Sequence, residues 1–321
     1  MGYSAEALGG GASSRPASRV GVTDAVDEQP PRLRLLSWNV QGHVKGVRDQ
    51  IVAIQSRRPD LVALQEVTTT TVRRFQEDLP EMGLTAVIDS FTVADVDPVL
   101  LRGPRRYGLV VASRWPLTLV SRFAVPWPER VLSVDVMTRW GVMELHTTHI
   151  PPGVSNGWIK IKMLEGLFVG LACRSATPRV LCGDFNTPQE ETSAGEIVTW
   201  AFRKKSSGRW VLAQSRGVRW DAGERNVLRA LGDFDLADVY RSRHGYGRSE
   251  SSWYWRRGNV RIGRRFDHVF AARGLNAVRC EYLHEFRERG LSDHAAIEVD
   301  FRPSRGALRA RPMEGGAALR R

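Results

Sequence analysis

Cysteine is scarce in this chain: only Cys173, Cys182 and Cys280 occur among 321 residues, and no two form a Cys-x-x-Cys pair. That excludes a disulfide framework and a cysteine zinc site, leaving reduced, mostly buried thiols as the expectation. Long apolar runs are missing too. No stretch approaches the roughly 18 apolar residues of a membrane span, and no apolar segment follows a basic start at the N-terminus. The reading is a soluble, cytoplasmic protein without a membrane span. Gly-x-Gly-x-x-Gly, the Walker loop, His-Glu-x-x-His and Gly-x-Ser-x-Gly are all absent, which lowers the case for nucleotide-cofactor enzymes, zincins and serine hydrolases. No internal repeat is visible.

What the chain has in excess is positive charge. Lys and Arg number 47 against 35 Asp and Glu, a formal net charge of +12 with a sequence pI near 10.3. Such an excess points to an anionic partner: nucleic acid, a phosphorylated small molecule or an acidic lipid surface. Residues 1–31 are rich in Gly, Ala, Ser and Pro, lack a hydrophobic period, and read as a disordered leader of net charge −2. Residues 302–321 read as a basic disordered tail of net charge +5, which leaves +9 on the segment 32–301. The basic excess belongs mainly to the part expected to fold.

Hydrophobic residues make up 42% of the chain, enough for a sizeable core. Alternation predicts a strand over Arg32–Trp38, and the spacing of Val47, Ile51 and Ile54 predicts a helix from Lys45 to Arg58, stopped by Pro59. Asp60–Glu66 is a second buried strand, and Val67–Leu79 a helix. Tyr107–Ser113, Leu117–Phe123, Val131–Met137 and Gly141–Ile150 read as an antiparallel meander. Ile159, Met163, Leu164, Leu167, Phe168 and Leu171 mark one helix face leading into a strand at Val180. Phe266–Ala271 and Ala295–Phe301 close the chain as strands. The basic stretch Arg203–Arg229, with Trp210 and Trp220, receives no firm assignment. Strand–helix units flanking a meander indicate a mixed α/β domain with two sheets.

The chemistry concentrates where predicted strands end. In Val180–Pro188 an apolar run stops at Gly183, and Asp184 and Asn186 follow two residues apart, so an extended backbone projects both to the same side. A carboxylate that accepts a water proton beside an amide that donates suits phosphoester hydrolysis. An Asx turn after a strand accounts for the same residues taken alone. Asn39, Glu66, His149, and Asp293 with His294, also stand at strand ends. Asp267 lies amid apolar strand residues and needs a partner to offset its desolvation.

Trp38–Gly42, Leu64-Gln65-Glu66, Thr148-His149-Ile150, Gly183–Asn186, Arg265–Phe270 and Ser292-Asp293-His294 resemble, in order, the motifs of the endonuclease/exonuclease/phosphatase superfamily. The resemblance covers about residues 32–301 and implies one catalytic domain there, a four-layer α-β-β-α sandwich of two mixed β-sheets flanked by helices. It implies a Mg²⁺ (or Mn²⁺) site at Glu66, with Asn39 in or next to the first shell and Asp293 near the ion or a second cation. It further implies that Asp184 orients or deprotonates water and Asn186 holds the scissile phosphate. His294 would contact phosphoryl oxygens or act as a base, with Asp267 fixing it from behind, and His149 would donate to developing negative charge. Gln41 departs from the aspartate often found at that place in DNA-repair members.

Substrate class rests on other residues. Ser251–Arg257 and the arginines up to Arg265 resemble the aromatic and basic loop of abasic-site nucleases. Trp253, Tyr254 and Trp255 are placed to stack on bases, and Arg256, Arg257, Arg261, Arg264 and Arg265 to meet phosphates. A hairpin strand with Trp253 and Trp255 in the core fits the same pattern. The leading expectation is a monomeric Mg²⁺-dependent nuclease acting on DNA more than RNA. The alternative is a phosphatase or phosphodiesterase acting on a small phosphoester or phospholipid head group, inositol-phosphatase-like or sphingomyelinase-like. A catalytically silent nucleic-acid-binding module is a third.

Overall fold

The computed structural model describes residues 32–120 and 123–303. The expected leader and all but the first two residues of the expected tail lie outside the described residues. In chain order the elements begin with β1 (Leu33–Asn39), α1 (Val47–Arg57), β2 (Leu61–Thr68), α2 (Val72–Glu81), β3 (Ala86–Asp89), α3 (Ser90–Val93) and β4 (Tyr107–Ser113). Next come β5 (Leu117–Leu119), β6 (Val131–Thr138), β7 (Gly141–His149), α4 (Gly153–Asn156), α5 (Ile159–Leu171), β8 (Arg179–Asp184), β9 (Glu190–Glu191) and β10 (Ile197–Val198). These lead to β11 (Phe202–Lys204), β12 (Trp210–Leu212), α6 (Gly217–Leu228), β13 (Ala237–Asp238) and α7 (Val239–His244). The last are β14 (Trp253–Arg257), β15 (Val260–Arg264), β16 (Asp267–Ala271), β17 (Ala277–Leu283), α8 (His284–Glu288) and β18 (Ala296–Phe301).

Twelve of these strands form two six-stranded sheets, ordered β17-β18-β1-β2-β4-β3 and β13-β16-β8-β7-β6-β5. Each sheet is antiparallel except at one central pair, β1 with β2 in the first and β7 with β8 in the second. Parallel neighbours need a crossover, and α1 and α5 lie in those two connections. Side-chain alternation then sorts the apolar residues into layers. Leu33, Leu35, Leu61 and Ala63 of the first sheet pack with Leu145, Val180, Cys182 and Val269 of the second, between the sheets. Leu36, Trp38, Val62 and Leu64 face α1 and α2 through Ile51, Ile54, Phe75 and Leu79. Leu181 and Phe270 face α5 and α6 through Leu164, Leu167 and Trp220. The result is an α-β-β-α sandwich. Among the described residues no helix is long and apolar enough to cross a membrane.

Two expectations are corrected, and one unassigned stretch is resolved. The helix expected from Val67 starts at Val72, because β2 continues to Thr68 and a Thr68–Thr71 turn closes on itself: each backbone N–H is bonded to the other's hydroxyl, at 2.9 and 3.2 Å. The meander is split. β4 pairs antiparallel with β2 in the first sheet, while only β5, β6 and β7 are consecutive neighbours in the second. The Arg114-Trp115-Pro116 corner carries the chain across, and period-2 patterning is the same on either side of it. Finally, Arg203–Arg229 resolves into the β11–β12 hairpin and α6.

Candidate active site

The two parallel pairs deliver their C-terminal ends to one place. In the ladders Asn39 lies opposite Gln65 and His149 opposite Asp184, while β16 runs antiparallel to β8 and starts with Asp267 opposite Asp184. Alternation puts Asn39, His149, Asp184 and Asp267 on the inner faces, in line with Leu35, Leu145, Val180 and Val269. The apolar filling between the sheets gives way here to polar groups. Glu66 has the opposite parity and in a regular strand would join Val62 and Leu64 beneath the helices. The ladder shifts register between Leu64 and Val67 and Glu66 adopts φ +57°, a bulge that turns its carboxylate to the site.

Asp184 and Asn186 are related by a turn instead of an extended strand. Asn186 has φ +51°, and its N–H donates to Asp184 Oδ1 at 2.9 Å. The Asx turn and the shared site are thus one structure. Asn186 Nδ2 donates to the Ile150 carbonyl at 2.9 Å and to Asp184 Oδ2 at 3.3 Å. Asn39 Nδ2 bridges the two carboxylates, donating to Asp184 Oδ2 at 2.9 Å and Glu66 Oε1 at 3.1 Å, while its Oδ1 accepts the Gln41 N–H. His294 Nδ1 meets Asp267 Oδ2 at 2.8 Å, and its Nε2 stands 3.8 Å from Asp184 Oδ2. His149 Nε2 lies 3.4 Å from Glu66 and 3.7 Å from Asp184. Asp293 lies beside this cluster but makes its own hydrogen bonds: its carboxylate accepts the Trp253 indole N–H at 3.0 Å, and its backbone N–H donates to Gln41 Oε1.

Burial and mutual repulsion shape the charges. Burial pushes Asp184 up to about 7, with Asp267 and Glu66 adding to the rise and His294 opposing it. Burial raises Glu66 as well. For His294 burial acts downward, but the carboxylates of Asp267, Asp184 and Asp293 outweigh it and raise the imidazole to about 10. His149 is held well below its ordinary value by burial and the Arg130 and His294 charges. Arg130, itself buried, is lowered to about 10. Its Nη1 meets His149 Nδ1 and its Nη2 donates to the Pro104 carbonyl. Because a guanidinium only donates, this contact leaves the imidazole proton on Nε2, facing the carboxylates.

These residues fit a divalent cation. Glu66 and Asp184 bring carboxylate oxygens within 4.8 Å of one another, and the imidazoles of His149 and His294 flank them. His149 Nε2, carrying its proton, has no hydrogen-bond partner among the described residues and faces this pocket as a donor, not as a ligand. Two adjacent carboxylates whose ionisation is opposed by burial are what a hard cation with oxygen preference would relieve.

Around the cluster opens a cleft of about 990 Å³ whose lining includes Glu66, His149, Asp184, Asn186, Asp293 and His294. Asp267 lies behind His294, and Asn39 beneath the two carboxylates. The β14–β15 hairpin forms one wall. Trp253 stacks on Phe266 at 5.3 Å, and Trp255, 48% exposed, lines the cleft with Arg264. Neither tryptophan enters the sandwich core, so the core alternative for them is not what forms. Tyr254 points the other way, beneath Arg261 and Arg287. Arg265 is also away from the cleft, buried against Glu191 and Asp238. The Arg256 side chain lies outside the described residues. The sequence reading passes over Arg130, Tyr107, Trp200 and Arg216, which line the cleft, and over Lys160, whose Nζ donates to the Asn186 carbonyl at 2.9 Å. Lys160 left a signal: it falls at helical spacing on the stripe of Leu164, Leu167 and Leu171.

A four-layer sandwich whose parallel strand pairs bring carboxylates, amides and imidazoles to one cleft defines a hydrolytic phosphoesterase. The family model described as Endonuclease/Exonuclease/phosphatase family matches residues 36–294, and the chain belongs to that family. Its members are phosphoester hydrolases that depend on divalent metal. Solved structures share the fold. An AP endonuclease from Archaeoglobus fulgidus is 17% identical, with 84% of this chain and 99% of that one covered and a TM-score of 0.59. The 3′ phosphatase NExo from Neisseria, bound to a product DNA hairpin, is 18% identical over 84% and 99% at 0.58. D. rerio TDP2 with a single-strand DNA product is 15% identical over 84% and 98% at 0.56. No curated protein matches the sequence.

Proposed function

We propose that this chain is a nuclease that hydrolyses phosphodiester bonds, in DNA more than in RNA, with Mg²⁺ (or Mn²⁺) as its cation. The observation that carries the reading is Asp184, which collects Asn39, Asn186, His149, Glu66 and His294 from both sheets at the floor of one cleft. Ionised Asp184 takes the proton of the attacking water, its oxygens already aimed by Asn186 and Asn39. His294, clamped by Asp267, and His149, with its proton on Nε2, donate to the phosphoryl oxygens as negative charge builds. Glu66, braced by Asn39, would hold the cation, with Asp293 nearby. When bound, the cation polarises the phosphoryl group and screens the carboxylates.

The lining of the cleft supports DNA: Arg106, Arg216 and Arg264 supply positive charge for backbone phosphates, and Trp200, Trp253 and Trp255 supply aromatic rings of the kind that stack on bases. The fold relatives named above include proteins solved with DNA. The reading takes residues 32–301 as the catalytic unit, monomeric and cytoplasmic. An apolar wall of Pro151, Pro152, Val154 and Ile262 favours a second reading, a phosphatase or phosphodiesterase on a small phosphoester or phospholipid head group.

One experiment separates them. Purified protein and Asp184→Ala are incubated with plasmid, abasic duplex, RNA, sphingomyelin and inositol phosphates, with and without Mg²⁺. Cation-dependent DNA cleavage lost in the variant is expected; turnover of only the small esters would replace the first reading with the second. Glu66→Gln is expected to raise the Mg²⁺ concentration for half-maximal rate, and an unchanged metal titration would remove Glu66 from the cation site.

A further inference from the structure

We infer that Lys160 and Glu224, an ion pair buried between α5 and α6, are positioning residues for the Asn186–Thr187 turn and thereby for Asp184. The inference rests on the phosphoesterase reading of that turn. Both side chains are fully buried in the apolar layer behind the second sheet. Lys160 Nζ donates to Glu224 Oε1 at 2.7 Å and to the Asn186 carbonyl at 2.9 Å. Glu224 is saturated: Oε1 also accepts the Trp220 indole N–H at 2.7 Å, and Oε2 accepts the Thr187 hydroxyl at 2.6 Å and the Trp200 N–H at 2.9 Å. The Trp200 indole N–H adds a second donor to the Asn186 carbonyl at 3.0 Å.

A buried ion pair is a poor device for stability alone, since apolar residues of similar volume pack at least as well there. What this pair does that leucines cannot is grip backbone. Asn186 sits at φ +51°, a left-handed conformation that asparagine tolerates better than most residues but that leaves the direction of its peptide groups to be fixed by their partners. The grip on its carbonyl fixes the direction of its N–H and side chain, and these are two of the donors that aim the Asp184 carboxylate. Both partners come from helices outside the six sequence blocks of the site, so the catalytic turn is set from the outer layer.

The test is the double variant Lys160→Met/Glu224→Gln, which removes both charges at nearly constant volume and avoids stranding one of them. Steady-state kinetics are measured on the DNA substrate cleaved by the wild type, beside Asp184→Ala. A folded double variant is expected to lose 10- to 100-fold in kcat with KM within about twofold, the mark of a displaced reacting group. A kcat within twofold of wild type would overturn the inference. If the double variant does not fold, Thr187→Val, which removes only the hydroxyl contact to Glu224, replaces it. A three- to tenfold fall in kcat at constant KM is then expected, and an unchanged kcat overturns the proposal. Full activity of Asp184→Ala would instead sink the underlying reading, so the two failures are distinguishable.

Discussion

In the proposed mechanism Asp184 is the base that takes the water proton, and its environment fixes the sign of the expected pH dependence. The base form is required, and burial with the Asp267 and Glu66 charges places its titration near 7, so the rate is expected to rise with pH through that region at low Mg²⁺. A bound cation favours the ionised form, so raising Mg²⁺ should move this acid limb to lower pH. Profiles of kcat/KM at several Mg²⁺ concentrations check it; a limb that stays put would separate Asp184 from the cation site. Asp184→Ala itself is expected to lose at least about 100-fold in kcat. On the alkaline side the donor is imidazolium at His294, raised to about 10 by Asp267 and its neighbours against the pull of burial. Asp267→Asn removes that support. The loss of rate at high pH should then set in at lower pH than in wild type, and an alkaline limb that does not shift would mean His294 is not the group observed.

At the level of elements, β8 is the least forgiving. A Cβ at Gly183, where φ is +135°, would lie 2.0 Å from the Thr148 carbonyl oxygen on the neighbouring parallel strand. Backbone cannot yield there without opening the β7–β8 ladder that carries His149 and Asp184. Gly183→Ala is expected to cost at least about 2 kcal/mol of stability in a denaturant melt, and a melt within about 0.5 kcal/mol of wild type would show that the strand has room. The β14–β15 hairpin is the opposite case. Trp255 is half exposed and supports no core, so Trp255→Ala should leave the melt unchanged and raise KM for DNA about tenfold, in line with the worth of one stacked base. Unchanged KM would take this wall out of substrate binding.

Across the whole molecule, charge acts in two ways. The net +12 and the arginines along the cleft predict steep loss of kcat/KM on DNA between low and physiological salt; a flat response would favour a small ester. Inside, Glu191 ties β9 to α7 and to the start of β16 through Arg241 and Arg265, each contact at 2.7 Å. Burial would raise this carboxyl, but the two arginines bring it from an ordinary 4.5 down to about 2. A depressed carboxyl contributes stability that is present above about pH 4.5 and is lost as pH falls towards 2, here about 3 kcal/mol. Glu191→Gln should therefore weaken the fold near neutrality and flatten its stability between pH 4.5 and 2 in urea melts; an unaltered slope would count against the pair.

Much of this was written in local pattern. Alternation in Arg32–Trp38, the apolar run Val180–Cys182, and helical spacing in Lys45–Arg58 and from Ile159 to Leu171 gave the strands and helices, because burial is a short-range property of the chain. The six polar blocks named the family for the same reason: each sets polar side chains at an end of, or within, an apolar run. What the sequence left undetermined depends on contacts between distant segments. Tyr107–Ser113 and Leu117–Leu119 carry the same two-residue period yet belong to different sheets, since period says nothing of partner. The parity of Glu66 pointed it away from the site until a bulge reversed it. Trp253 and Trp255 were equally good as core or cleft, and Lys160 and Glu224 drew no reading at all, since their pairing depends on how α5 packs on α6. The sequence by itself determined which residues are chemically unusual and which family they belong to. Only the tertiary structure decided which of them meet, because hydrogen bonds and charges act over a few ångströms, and chain order does not measure that distance.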